Sequence, residues 1–313
     1  MTKRKKISFV IPLYNEAGNV KTLIKQLKKF FSSHKQYFFE AILVENGSSD
    51  ETFTLLKKFT QQQKNLKILQ LSKNFGCDGG IAAGLEFVKA DAAVIMMADL
   101  QEPIELVNVF INHWEKGYKI VYGVVKKRPT GILNRYSSET YYHLLNFLSG
   151  QQFPPNASDF RLIDQQVVTT LNQFKEQNKY LRGLIIWTGF SHLGVPFVRK
   201  KRLAEKSKSN LKTLFFVAFN GIFSFSYFPL RFISILGIIL TLIAFLLAGF
   251  YLGLFFYLGR VVPGFTTLTM LMLFLFGMLF FVLGIISEYL ARIYEEVKQR
   301  PRYIVKSTQG LKI

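Results

Sequence analysis

"ISFVIPLYNEAGNVKTLIKQLKKFF", residues 7–31, decides the fold. Its first eight residues, "ISFVIPLY" (7–14), are almost wholly apolar, as a strand buried on both faces must be, and they run out into Asn15 and Glu16. The following "NVKTLIKQLKKFF" (19–31) sets apolar residues at helical spacing against a row of lysines, which reads as an amphipathic helix.

The same unit recurs along the chain. "FFEAILVEN" (38–46), "LKILQLS" (66–72) and "AAVIMMAD" (92–99) read as strands; "ETFTLLKKFTQQ" (51–62), "GGIAAGLEFVKA" (79–90) and "PIELVNVFINHWEKG" (103–117) read as helices, the last with Pro103 in its first turn. Strand alternating with helix implies a mainly parallel sheet with helices on both faces. A ligand of such a sheet lies at the carboxyl ends of the strands.

Those ends carry the unusual residues. The first strand delivers Pro12, Tyr14, Asn15 and Glu16, and the second Glu45, Asn46 and Gly47. The third delivers Lys73, Asn74 and Gly76, and the fourth Asp99, Gln101 and Glu102. Four strands thus converge on one polar crevice of nucleotide type, while Ser48, Ser49 and Asp50 read as helix caps. In "AVIMMADLQEP" (93–103) a single Asp99 follows the strand, and Met97 holds the place where a D-x-D pair would have its first carboxylate.

Other chemistries are excluded by pattern. There is no G-x-G-x-x-G after the first strand, no G-x-x-x-x-G-K-[ST], no H-E-x-x-H, no G-x-S-x-G and no Cys/His metal spacing. The four histidines (34, 113, 143 and 192) are scattered, as structural or surface residues are. One cysteine, Cys77, rules out an intramolecular disulfide and a thiolate metal cluster, consistent with a reducing compartment.

Charge and hydropathy add a membrane. The 313 residues carry 40 Lys+Arg against 20 Asp+Glu, a net charge of +20, yet half of them are hydrophobic. Nucleic-acid binders reach such charge, but long uncharged runs fit a membrane protein better, because cytoplasmic flanks collect Lys and Arg. No nucleic-acid partner is expected. Residues 232–259 and 261–287, 28 and 27 residues long, carry no charge. Each exceeds the roughly 20 needed to span a bilayer.

The two runs predict a transmembrane hairpin, about 229–258 and 265–290 within 229–291, turning at "GRVVPGF" (259–265); the competing reading is a pair of buried core helices. Basic flanks, "RKKRLAEKSKSNLK" (199–212) and "RIYEEVKQRPRYIVK" (292–306), put both ends on the cytoplasmic side. No signal peptide is read in residues 1–25, so a membrane-anchored cytoplasmic domain of residues 1–208 is expected. Residues 209–228 read as an interfacial amphipathic helix or one packed on the domain, and 292–313 as a basic cytoplasmic tail.

The residues then match a family. "FVIPLYNE" (9–16) matches V-I-P-x-Y-N-E, "VENGSSDET" (44–52) stands where V-D-D-G-S-x-D-x-T is usual, and "NFGCDGGIAAG" (74–84) loosely matches N-x-G-x-x-x-A-x-x-A-G. "ADLQEPIE" (98–105) matches A-D-L-Q-D-P-P-E, "SDFRL" (158–162) matches G-D-F-R-L, and "RKKRLAEKSKSN" (199–210) matches R-x-x-R-x-x-G-x-S-K-Y. "FPLR" (228–231) and "GIISEYLARIYEEVKQRPRYIV" (284–305) complete it. Over nearly its whole length the chain resembles the family 2 glycosyltransferases of GT-A (Rossmann-like) fold, and within them the polyprenyl-phosphate glycosyltransferases similar to dolichol-phosphate mannose synthase, GtrB and ArnC.

The resemblance implies inverting transfer of a sugar from a nucleotide sugar, expected to be a UDP-sugar, to polyprenyl (undecaprenyl) phosphate, for cell-envelope glycan modification at the inner membrane of a bacterium. It implies Mg2+ or Mn2+ on Asp99 and Gln101, and a nucleotide-sugar site formed by Pro12, Tyr14, Glu16, Asn46, Lys73, Gly76, Asp99 and Gln101. Arg128, Arg135, Arg199, Arg202 and Lys208 would hold phosphates or the acceptor, with anionic lipid as the other partner for this basic group. Asp159 is the candidate base or acceptor-orienting residue beside Arg161, with a plain Asp159–Arg161 salt bridge as the alternative; Asp99 completes the catalytic set. A homo-oligomer, a tetramer, is implied as well. Met97 in place of an Asp and Asn46 in place of another predict a weakened or altered metal site, and a catalytically weakened paralogue acting as a scaffold is the competing function.

Overall fold

The computed structural model describes residues 4–61, 63–126, 157–174, 176, 181–200, 228–258 and 264–311. Eight strands form one sheet: β1 (Lys6–Leu13), β2 (Phe38–Glu45), β3 (Leu66–Leu71), β4 (Ala92–Ile95), β5 (Ile120–Val125), β6 (Ala157–Asp164), β7 (His192–Phe197) and β8 (Val305–Gln309). The helices, numbered in chain order, are α1 (Ala17–Ser33), α2 (Thr52–Thr60), α3 (Gly76–Glu86), α4 (Leu106–Glu115), α5 (Gln165–Gln173), α6 (Leu181–Trp187), α7 (Phe228–Leu258) and α8 (Phe265–Lys298).

The strand order is β7-β5-β6-β4-β1-β2-β3-β8. Four of the seven pairings are parallel, β1 with β2, β1 with β4, β2 with β3 and β5 with β7. The mainly parallel α/β expectation holds, and β6 and β8 supply the antiparallel pairs. β1 is central and almost wholly buried, which is why its sequence is a near-continuous apolar run. Helices cover both faces. On one, Val20, Leu23, Ile24 and Leu27 of α1, Leu56 of α2 and Val107, Phe110 and Trp114 of α4 meet Ile7, Phe9 and Ile11. On the other, α3, α5 and α6 bring Ile81, Val167, Leu171 and Leu184 onto Val10, Ile42 and Val44. Each such side chain contributes about 1.5–3 kcal/mol on burial.

α3 lies unusually close to the sheet. A Cβ on Gly84 would stand 2.4 Å from Val10 Cγ1 and 2.9 Å from Val44 Cγ2, so only glycine lets the helix seat there.

Several boundaries differ from expectation, among them α3, which spans Gly76–Glu86 rather than 79–90. β4 stops at Ile95 rather than Asp99, because the Met97 N–H turns to the Glu102 carboxylate (3.0 Å) and Leu100 takes a φ of 60°. α4 begins at Leu106, after a turn in which the Leu106 N–H donates to the Pro103 carbonyl (3.0 Å). The stretch set apart as a tail returns to the sheet: β8 runs antiparallel to β3, with Leu69 opposite Thr308.

α7 and α8 are 31 and 34 residues long, with large apolar side chains exposed along both, among them Phe245, Phe256, Met270 and Phe280. Met270–Lys298 is long and apolar enough to cross a membrane. Residues 209–227, where the amphipathic helix was expected, lie outside the described residues.

Candidate active site

The topology gathers one edge of the sheet. β1 to β4 run parallel, so Leu13, Glu45, Leu71 and Ile95 end on the same side. β6 runs the other way and begins there, while β5 and β7 end there. The chain leaves β1 toward β2 on one side and reaches β4 on the other, and the crevice lies where the order reverses. Pro12, Tyr14, Glu16, Asn46, Lys73, Gly76, Asp99, Gln101, Asp159, Arg161 and Arg199 all come from this edge. Arg128, Arg135, Arg202 and Lys208 lie outside the described residues.

The loops at this edge are knitted together. Asn15, at φ 54°, accepts the Ser49 N–H on its side-chain oxygen (2.9 Å), and its own N–H donates to Ser48 Oγ (3.1 Å). Asp50 accepts from Thr52 N–H (3.0 Å) and from the Ala17 N–H that opens α1 (3.1 Å). The capping expected of this segment is therefore partly in trans, on the neighbouring helix. Glu16 accepts from Asn19 Nδ2 (2.6 Å). Tyr14 stays open to solvent.

Asn46 is buried and spends its amide on the next loop. Its Nδ2 donates to the Gly76 carbonyl (2.8 Å) and Asn74 Oδ1 (3.2 Å), and its Oδ1 accepts the Phe75 N–H (3.0 Å). Its evident work is to brace residues 74–76. Lys73 projects outward, its ammonium 5.2 Å from the Phe75 ring centre.

The 97–102 loop is drawn around two carboxylates with opposite orientations. Asp99 is partly exposed and accepts the Gln101 N–H (3.2 Å), closing a turn at the crevice. Glu102 turns inward. It accepts the Met97 N–H and the Ser158 hydroxyl (2.9 Å), with Arg199 Nη2 3.9 Å away. Burial pushes its carboxyl up to about 7, against the pull of these donors. Leu100, between them, is a buried leucine in the left-handed region, a strain of the kind that collects at functional loops. Met97 touches Cys77, sulfur to sulfur, at 3.7 Å.

These donors bear on a divalent cation. Among the described residues no three His, Cys, Asp or Glu side chains converge, Glu102 is engaged elsewhere, and a thioether suits a hard cation poorly. Asp99 and Gln101 are the partly exposed polar residues of this loop. One carboxylate and an amide fit a cation that arrives on a diphosphate with several of its waters, rather than one held by the protein alone.

Asp159 opens β6 and is doubly paired. Arg161 is 3.5 Å away and anchored by its Nη2 to the Ser158 carbonyl (2.8 Å). Arg182 of α6 grips the same carboxylate with Nε and Nη2 at once. Burial works to raise Asp159, but the charge and hydrogen bonds of Arg182, then Arg161 and Arg199, hold it below the usual carboxylate range. Asp78, in the first turn of α3, faces the same group. Burial and the Asp159 charge push its carboxyl up to about 7, although part of the side chain reaches solvent.

Arg182 and Asp78 were missed from sequence. The one available signal was an arginine standing in the otherwise apolar "LRGLIIW" (181–187).

Residues 8–171 match the family model described as glycosyl transferase family 2. An uncharacterized glycosyltransferase of Synechocystis sp. is 36% identical over 97% of this chain and 96% of its own length. The uncharacterized glycosyltransferase YkcC of Bacillus subtilis is 33% identical over 99% and 96%. The SfII prophage-derived bactoprenol glucosyl transferase of Shigella flexneri is 34% identical over 97% and 98%. Among solved structures, glucosyl-3-phosphoglycerate synthase of Mycobacterium tuberculosis aligns at a TM-score of 0.49 and 16% identity, covering 70% of this chain and 76% of that one, a likeness that carries no residue role across. With full-length identities of this size, and a crevice built as described, the chain is a glycosyltransferase and belongs to glycosyl transferase family 2.

Proposed function

We propose that the chain is a membrane-anchored, inverting glycosyltransferase that moves a sugar from a nucleotide-diphosphate donor, a UDP-sugar, to the phosphate of a polyprenol. One observation carries the reading. α8, which contains the membrane-length apolar stretch, ends at Lys298, and after six intervening residues the chain is β8 of the same sheet whose edge forms the crevice. A lipid-borne acceptor and a polar donor site thus belong to one body. The relative named bactoprenol glucosyl transferase supports a polyprenyl phosphate acceptor.

In this reading α7 and α8 form the hairpin, with both flanks cytoplasmic on account of their Lys and Arg. The donor lies across Tyr14, Glu16 and Lys73, with Asn46 acting through the 74–76 loop it braces. Asp99 and Gln101 would hold Mg2+ or Mn2+ on the diphosphate, where the cation neutralises the leaving group's charge. The acceptor phosphate is already ionised near neutral pH and needs no strong base; the harder task is to hold two anions together. A carboxylate held as low as Asp159 is a poor proton acceptor. We therefore assign it to orienting Arg161, Arg182 and the acceptor.

Purified protein in lipid, given undecaprenyl phosphate and a panel of UDP-sugars with Mg2+, Mn2+ or EDTA, should form a lipid-linked sugar. No product under any of these conditions overturns the reading. Met97, with the Cys77 sulfur on it in place of a second carboxylate, favours one competing outcome of the same experiment: donor binding without turnover, as a scaffold would show.

A further inference from the structure

The two arginines on Asp159 differ in standing. Arg161 belongs to β6, its side chain is 4% exposed, and its guanidinium is tied to the carbonyls of Ser158 (2.8 Å) and Asp159 (3.3 Å). It is a fixed charge. Arg182 arrives from α6, its side chain is 37% exposed, and it meets the carboxylate with a two-pronged fork. That fork is the shape that grips a phosphate, and an arginine presents it to either anion.

Breaking a buried ion pair is costly when it strands a charge. Here it would not, because Arg161 stays 3.5 Å from Asp159 after Arg182 has left. Arg161 and Arg199 act on Asp159 as well as Arg182, while Asp78 also faces Arg182 and Glu102 lies 3.9 Å from Arg199. An incoming phosphate oxygen therefore meets an arginine that can change partners at small cost.

We propose that Arg182 is an exchangeable arginine, closed on Asp159 in the ligand-free protein and transferred to a phosphate oxygen of a bound substrate, leaving Asp159 to Arg161. The inference rests on the function proposed above for the nature of the anion, which is either the donor diphosphate or the acceptor phosphate. The exchange makes Asp159 a competitor of the substrate for Arg182, and this gives a sign that a purely structural pair would not.

The test is calorimetric binding of UDP with Mg2+, and separately of farnesyl phosphate, to the full-length protein in detergent. Arg182→Gln should weaken one ligand about tenfold or more, the size of one charge-assisted hydrogen bond, and Arg182→Lys should recover part of it. Asp159→Asn, which frees Arg182, should tighten the same ligand several-fold, and Asp159→Asn with Arg182→Gln should bind as weakly as Arg182→Gln alone. If UDP responds, the arginine serves the donor; if farnesyl phosphate responds, it serves the acceptor. Asp159→Asn weakening both ligands, or leaving both unchanged, overturns the exchange. Should Arg182→Gln fail to fold, Arg182→Lys and Asp159→Asn still decide it. The wild-type turnover assay stands apart: its failure removes the transferase reading, while the binding signs still report on Arg182.

Discussion

Gly47 has no room for a side chain. Its φ is +66°, and a Cβ there would stand 2.4 Å from the Lys73 carbonyl carbon and 2.8 Å from the Asn74 nitrogen. An alanine must accept a left-handed backbone, about 1–2 kcal/mol, and also push the β3–α3 loop away. Gly47→Ala should therefore lower the thermal midpoint by several degrees and weaken UDP binding together, since Lys73 and the Asn46 brace move with that loop; an unchanged midpoint would contradict this packing. Asp78 makes a pH prediction. Burial and Asp159 raise its folded carboxyl to about 7, so its contribution to stability is full below the ordinary carboxylate range and is lost as pH rises through 7. Asp78→Asn keeps an oxygen for the Leu181 N–H and removes the titration. Relative to wild type, the variant should gain thermal stability between pH 5 and pH 8. A difference that does not change with pH would show that Asp78 does not titrate there. At this scale the sequence was legible where function needs a residue type at a strand end, as at Asp99. It was silent where the partner comes through the fold, as with Arg182, 23 residues from Asp159.

Among the elements, the first two βα units were readable because each carries a complete signal: a run apolar on both faces, then a helix with one apolar side. β4 was read four residues too far. "AVIMMAD" is apolar enough for strand, and what ends it is a carboxylate five residues ahead, Glu102, taking the Met97 N–H. β8 could not be read at all, since "VKSTQ" is short and polar and becomes a strand only because β3 offers a free edge. Its seating is reinforced from both sides. The Tyr303 hydroxyl donates to Glu86 at the end of α3, Arg302 to the Phe174 carbonyl after α5, and Ser307 Oγ to Gln70 Oε1 (2.8 Å). Tyr303→Phe should cost about 0.5–1.5 kcal/mol, one net hydrogen bond, measured by thermal unfolding in detergent. Deleting residues 300–311 should cost far more, because it bares the β3 edge and the apolar surface under Tyr303, Val305 and Leu311. Equal stability of the two variants would mean the strap adds nothing beyond that one contact.

For the whole molecule, the consequence of β8 is topological. The sheet begins at Lys6 and is completed only after α7 and α8. The carboxyl end of α8 is held at the domain by β8, and the chain enters α7 from the same domain, with 27 residues between Lys200 and Phe228. If both helices cross the bilayer, residues 259–263 must face the opposite side from the sheet. If neither crosses and both lie along the membrane surface, those residues stay on the domain's side. Labelling separates the two arrangements. With Cys77→Ser as background, Val262→Cys should react with a membrane-impermeant maleimide on intact cells, and Lys306→Cys should react only after lysis. Reaction at both positions only after lysis would place residue 262 on the domain's side and exclude a spanning hairpin. Reaction of Lys306→Cys on intact cells would put the sheet outside. That arrangement opposes the charge of both flanks, because the Lys and Arg of "RKKRLAEKSKSNLK" (199–212) and "RIYEEVKQRPRYIVK" (292–306) are what assigns them to the cytoplasmic side in the proposed topology.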